Sequence, residues 1–358
     1  MIANRNILLA RRFDDKGEDR SGFVRMDRNE KINPFNKSIY KKIFKKINGH
    51  NLLMYPDQRP LYKKLSKFLK IKKENILLTS GSDSAIKFIF ETYTKKNDKV
   101  AYFWPTYGMI DFYCSLYGYK SKKINYDNNL NLNLNELVKT CRDKIKVLLI
   151  ANPNQPTGTV LNSPVLKKII NLSKKYKFLL VFDEAYVEFS SKKSLVYLTA
   201  KHKNIIITRT FSKAFGLAGV RIGYLVSNEK NIANLMKVKP YADINILAIK
   251  SAEVVLDNLR ILKKNLLEIK KTKEIIKKFC EKIKLKFITT EANFVHIKFK
   301  NFSECKKMFL FLKSKKFLAR INGNGLPATI KNCLRFSLGP YSKTKKLISF
   351  LKKKTNKS

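Results

Sequence analysis

The chain has 358 residues, 44% hydrophobic and 11% aromatic, with only 13 Gly and 10 Pro, so it can bury a core in two domains and is not wholesale disordered. Lys and Arg number 75 against 27 Asp and Glu, a formal charge of +48, yet only 13 of the basic residues are arginine and the lysines are dispersed. That dispersion argues against a nucleic-acid groove, which would gather arginine and aromatics, and leaves runs such as Lys41, Lys42, Lys45 and Lys46 as solvated helix faces.

In chain order, residues 1–45 are too short to fold alone and are expected to pack on the C-terminal part. Residues 46–240 are expected to form a large α/β domain. Within it, β-rich runs at 76–78, 100–103, 147–151, 179–183, 205–209 and 221–226 alternate with amphipathic helical stretches, the pattern of a mostly parallel sheet covered by helices. In such sheets ligands bind beyond the carboxyl ends of the strands, so those ends are where chemistry is expected. Residues 241–358 read as a smaller α+β domain: a long lysine-rich helix at 244–284, then strands at 293–299 and 333–338 flanking a helix. Five cysteines without a C-x-x-C pair point to a reducing compartment, and three scattered histidines argue against a structural metal. No signal peptide appears and no apolar run reaches the ~18 residues of a membrane span, so the cytoplasm is the default location.

Several strand ends carry residues with chemical potential. "TSGSDSAIKFIF" (79–90) passes through Gly81, Ser82 and Asp83 into a helix, and such a start either cradles a phosphate or is an ordinary N-cap. Tyr107 follows a strand, where its ring could stack on a planar cofactor or fill the core. "ANPNQPTG" (151–158) is a two-proline turn with room for a cis peptide. Asp183 ends the apolar strand of "VFDEAY"; a carboxylate there could cap a helix, bind a metal or keep a ring nitrogen protonated, with Tyr186 close by to donate to a ring oxygen. Lys213 lies among small apolar residues in "RTFSKAFGLAGVRIGY" (209–224), where burial would make its amine a nucleophile; alone, it also reads as a lysine that snorkels. Thr210, Ser212 and Arg221 could complete a phosphate cup.

Taken together, "SGSD", "WPTYGM", "NPNQPTG", "VFDEAYVEF", "RTFSKAFGLAGVRIGY" and "CLRFSLG" stand in the order and approximate spacing of fold-type I aminotransferases dependent on pyridoxal 5'-phosphate. The chain resembles the histidinol-phosphate aminotransferases and their relatives, from "ARRF" (10–13) and "RNE" (28–30) to the last strand. The resemblance implies a large domain with a mostly parallel seven-stranded sheet, a smaller α+β domain, and a homodimer. It makes Lys213 the lysine that bonds the cofactor and shuttles a proton, Asp183 the partner of the ring nitrogen, Tyr186 the donor to the ring hydroxyl and Tyr107 the stacking ring. Gly81, Ser82, Asp83, Thr210, Ser212 and Arg221 fall at the phosphate end, with Tyr55 reaching the neighbouring subunit's cofactor. Arg335 matches the clamp for the substrate α-carboxylate, a role that suits a planar bidentate fork. Arg320, Arg28 and Asn29 fall on the substrate side. The implied reaction passes an amino group from a donor to the cofactor and on to a 2-oxo acid.

Three departures bear on the substrate. The family places Asn before the proline of its "NPTG" turn, whereas Gln155 stands here and Asn154 one residue earlier, so either could hold the ring hydroxyl. "NRNILLA" carries no tyrosine before Arg11. Arg28 occupies a position where a small residue is common, so it either favours a compact anionic substrate group or pairs with Asp27 or Glu30. The same scaffold serves decarboxylases, including one acting on phosphothreonine, but a clamped carboxylate favours transamination. A nucleic-acid-binding protein rests on net charge alone.

Overall fold

The computed structural model describes residues 5–10 and 19–355; Arg11–Phe13 of the "ARRF" stretch lie outside the described residues. A seven-stranded sheet is built from β1 (Ile76–Thr79), β2 (Lys99–Trp104), β3 (Lys120–Asn125), β4 (Val147–Ala151), β5 (Leu179–Asp183), β6 (Ile205–Thr210) and β7 (Gly223–Val226). Its spatial order is β1-β7-β6-β5-β4-β2-β3, parallel throughout except for β7, which runs antiparallel to both neighbours. Alternation divides the strands between two cores. Leu148, Ile150, Leu180, Phe182, Ile205 and Ile207 pack on one face, and Val147, Leu149, Val181, Ile206 and Leu225 on the other. Burial on both faces is why these strands read as continuous apolar runs.

A second sheet of four antiparallel strands is formed by β8 (Lys286–Ile288), β9 (Phe294–Lys298), β10 (Arg320–Asn322) and β11 (Cys333–Ser337), in the order β10-β11-β9-β8. Its register sets His296 opposite Arg335 and Arg335 opposite Arg320, so these three side chains share one face.

Four expectations are corrected. The helix expected at 244–284 is two helices, Ile246–Asp257 and Arg260–Lys282, because the Asn258 side chain donates to the Val254 carbonyl and closes the first one. The core of the large sheet takes in Ile244, Ala248, Ile249, Ala252, Val255 and Leu256, so it runs beyond residue 240. The N-terminal segment bridges the two parts: Val24–Arg25 pairs with Phe317–Leu318 beside the small sheet, but Ile39 and Ile43 pack on Val254. The last strand of the large sheet starts at Gly223, because Arg221 is left-handed (φ 57). Edge strand β3 was not anticipated. Its "KSKKIN" buries only Ile124, while Lys122 pairs with Asp143 and Lys123 lies over the Trp104 ring, a charged edge that resists further pairing. Among the described residues no helix is long and apolar enough to cross a membrane.

Gly158 joins the two parts. Its carbonyl accepts from the Glu291 N–H at 2.9 Å, its φ is +73, and a Cβ there would stand 2.2 Å from Thr290 Cβ. Gly325 has a similar φ of +81 with open space around it. Gly158→Ala should therefore cost the left-handed strain of about 1–2 kcal/mol plus about 1–3 kcal/mol of overlap. Gly325→Ala should cost the strain alone, a difference that denaturant midpoints of the two variants will show.

Candidate active site

The end of β5 sets the electrostatics. Asp183 is 4% exposed, stands in register with Thr208 of β6, and accepts the Thr208 hydroxyl at 2.8 Å. Burial pushes its carboxyl up to about 6; the Thr208 hydrogen bond and Lys213 oppose the shift, and Asp83 and Glu184 add to it. Glu184 points away. Its carboxylate takes the Ser194 hydroxyl at 2.6 Å, the Leu195 N–H at 2.5 Å and Arg209, which also pairs with Glu188. Alternation along one strand thus gives one carboxylate a cation and leaves the other without a full partner.

Lys213 donates to the Arg28 carbonyl at 3.0 Å, and its amine lies 5.7 Å from the centre of the Tyr186 ring. The Tyr186 hydroxyl accepts from Asn29 at 2.9 Å and its ring edge meets Phe294. Asn29 is buried and left-handed (φ 58). Its N–H and its side-chain oxygen both bond Ser337 Oγ, and its carbonyl accepts from Asn293. Arg20 braces this segment by reaching Asp27 at 2.7 Å and Glu30 at 3.1 Å.

On the small sheet, Arg335 is 6% exposed, donates to the Asp27 carbonyl at 2.9 Å and lies 5.3 Å from the Phe294 ring centre. Burial lowers its pKa to about 10, with Arg320 adding to the effect and Tyr186 opposing it, so the guanidinium stays charged at neutral pH. Its Nε is buried without a hydrogen-bond partner among the described residues, as is Asn293 Oδ1. The unpartnered N–H of the buried Arg335 fits an anionic ligand, whereas Asn293 Oδ1, an acceptor, calls for a donor. Arg320 is exposed on β10, and Arg28 keeps its Nε 3.7 Å from Asp27.

The helix Ser82–Tyr93 opens at Gly81, which has φ 87 and supplies no side-chain cap. A Cβ on Gly81 would stand 2.7 Å from Arg221 Nη2, so the glycine makes room for the guanidinium at a helix N-terminus. Arg221 also donates to Ser212 Oγ at 3.4 Å, and Thr210 Oγ1 accepts from the Ser212 N–H. Ser82, Thr210, Ser212 and Arg221 therefore surround one helix start.

Tyr107 donates to Asp83 at 3.1 Å, and burial together with Asp83 raises its pKa well above the usual tyrosine value, keeping the phenol protonated. In the turn, where the Asn152–Pro153 and Gln155–Pro156 bonds are cis, the Asn154 amide is fully engaged. It donates to Pro105 O and Thr157 Oγ1 and accepts from Thr106. Gln155 is half-buried, and its side chain makes no hydrogen bond to the described residues. Tyr55 is not brought to this site within one chain: it is 78% exposed beside Tyr241.

These groups fit pyridoxal 5'-phosphate: a helix start and an arginine for its phosphate, a buried carboxylate for its ring nitrogen and a lysine for its aldehyde. The sequence reading missed Thr208, Arg20, Asn293 and Ser337. Thr208 shares a strand face with Thr210, a period-two signal that could have found it; the other three have no local signal. Without cofactor, the raised pKa of Asp183 means that the folded state binds the extra proton, so stability falls as pH rises from about 4 to about 6. Relative to wild type, Asp183→Asn should match at pH 4 and gain roughly 3 kcal/mol by pH 7 in the cofactor-free protein, read from denaturant melts at each pH.

Residues 32–351 match the family model for aminotransferase class I and II. A histidinol-phosphate aminotransferase of Buchnera aphidicola subsp. Cinara cedri is 35% identical over 309 residues, 84% of this chain and 86% of the relative. The crystal structure of a histidinol-phosphate aminotransferase from Sinorhizobium meliloti in complex with pyridoxal-5'-phosphate superposes with a TM-score of 0.82, at 23% identity over 93% of this chain and 91% of that one. An L-threonine-O-3-phosphate decarboxylase from Porphyromonas gingivalis shares the fold at TM-score 0.74 and 19% identity, covering 92% and 98%. With its strand-end site and this match along nearly its whole length, the chain belongs to the class I and II aminotransferases.

Proposed function

We propose that this aminotransferase uses pyridoxal 5'-phosphate to move an amino group from a donor with an anionic side group to a 2-oxo acid such as 2-oxoglutarate. The donor class is histidinol phosphate or a phosphorylated or phosphono amino acid. The observation that carries the reading is the meeting of Lys213 and Arg335 on main-chain carbonyls of Asp27–Glu30, and of Tyr186 on the Asn29 side chain, next to a buried Asp183. When bound, the cofactor supplies an aldehyde carbon for the amino group and a ring that takes up the electrons of the broken Cα–H bond.

In this reading Lys213 holds the cofactor and then carries the proton to and from Cα. Asp183 is the anion that keeps the ring nitrogen protonated. Tyr186, steadied by Asn29, donates to the ring oxygen, and Gln155 does so too, since the Asn154 amide is already bonded to Thr106, Pro105 and Thr157. Gly81, Ser82, Thr210, Ser212 and Arg221 bind the phosphate. Asp83 orients Tyr107, which covers the ring. Arg335 grips the α-carboxylate, while Arg320 and Arg28 face the distal anion. A second copy covers the exposed Leu52, Leu53, Met54 and Tyr55, bringing Tyr55 to its neighbour's phosphate end. Five buried free cysteines support a cytoplasmic setting.

Purified protein loaded with the cofactor should be yellow, and Lys213→Ala should lose the lysine-linked band and at least roughly a thousandfold in turnover. A wild type that stays colourless with added cofactor would sink the reading. A donor panel of histidinol phosphate, phosphorylated and phosphono amino acids, glutamate and aromatics, scored by bleaching of the band and by 2-oxo acid formation, fixes the substrate; carbon dioxide release would reveal a decarboxylase instead. Arg335→Lys keeps the charge but loses the fork, and should raise donor KM about ten- to a hundredfold with a smaller change in kcat.

A further inference from the structure

His296 lies in the middle of β9 and is fully buried, yet the reading above gives it no task. Its Nε2 is 2.9 Å from the carbonyl oxygen of Pro156, and its Nδ1 is 3.2 Å from Asn322 Nδ2, which also donates to Ile330 O at 3.1 Å. Donor counting fixes the ring. An amide NH2 can only donate, so Nδ1 accepts and the single proton of the neutral imidazole is on Nε2, directed at Pro156. A charged imidazole would set an N–H against the amide NH2. Burial and the neighbouring Arg335 cation hold the ring neutral, with its pKa lowered to about 3.

Pro156 directly follows Gln155, and the rest of the turn is held to the small-sheet side through Gly158, Thr290 and Glu291. His296 also stands opposite Arg335 in the sheet register. One hydrogen bond therefore connects the strand beside the proposed carboxylate clamp to the turn that carries the proposed ring contact.

We infer that His296 is a positioning residue: by donating from Nε2 to the Pro156 carbonyl it sets where Gln155 stands relative to Arg335, so that cofactor contact and substrate clamp are placed by one buried imidazole. The inference rests on the cofactor reading above.

A readout other than turnover is available in the pH midpoint of the bound cofactor's visible band. An N–H on the ring oxygen draws off negative charge that otherwise favours a proton on the Lys213 linkage, so a displaced Gln155 raises the midpoint. His296→Leu, close in volume but without a donor, should raise the midpoint by about half a unit or more and raise donor KM about tenfold with kcat less affected. His296→Gln, whose amide can reach Pro156, should restore most of both. If His296→Leu is not recovered folded, His296→Asn carries the same test, being polar but too short to reach. A wild-type midpoint in the folded variant overturns the inference, even with a lowered Tm, since plain structural support would move stability alone. Gln155→Leu run in parallel separates the claims: if it shifts the midpoint and His296→Leu does not, the ring contact stands and the role of His296 falls. A wild type without any visible band defeats the cofactor reading itself.

Discussion

Asp183 ends a strand in the middle of a sheet that is buried on both faces, and a carboxylate in that place stays charged only if a cation is brought to it. Lys213 is near but serves as a weak counterion, opposing burial without overcoming it. The next residue, Glu184, points to the other side and does receive a cation, Arg209, which it shares with Glu188, although burial still holds its carboxyl above the usual value. In our account the missing cation at Asp183 is the protonated ring nitrogen of pyridoxal 5'-phosphate. The site is then a place where protein and cofactor each supply half of a buried ion pair.

The remaining parts follow from holding that ring in place. Under the proposed reading its far end would meet a helix start where a glycine leaves room for Arg221. Under the same reading its reactive edge would meet Lys213, which is steadied by the backbone of Arg28. The segment Asp27–Glu30 offers main-chain carbonyls to Lys213 and Arg335 and the Asn29 amide to Tyr186, and so sets the distance between the proposed proton carrier and the proposed carboxylate clamp. Arg20, with carboxylates on both sides, keeps that segment from moving. Arg28 keeps its Nε 3.7 Å from Asp27 with its side chain partly exposed.

Much of this was legible in the chain. Strands such as "VLLIA" and "LLVFD" announce themselves because burial on both faces removes polar alternation, and Asp183, Tyr186 and Lys213 stand at their ends or in the loops that follow. Edge strand β3 escaped notice because its surface is lysine, and the break at Asn258 because one side-chain hydrogen bond decides it. The hub at Asn29 was named only as a residue on the substrate side. Its partners Ser337 and Asn293 lie 308 and 264 residues away, where no periodicity or spacing can relate them. The choice between Asn154 and Gln155 stayed open in the sequence for a similar reason: only three-dimensional neighbours reveal that the Asn154 amide is already spent on Thr106, Pro105 and Thr157.

Under the proposed reading Asp183 and the ring nitrogen share one buried proton. That sharing is tested most directly by loading the protein with cofactor labelled with nitrogen-15 at the ring position and reading that nitrogen's chemical shift across neutral pH, in wild type and in Asp183→Ala. Wild type should give a protonated pyridinium signal that stays constant well above the pH at which the free ring loses its proton, and the variant a neutral pyridine signal. A neutral pyridine signal in wild type, or the same pyridinium signal in both proteins, would contradict it.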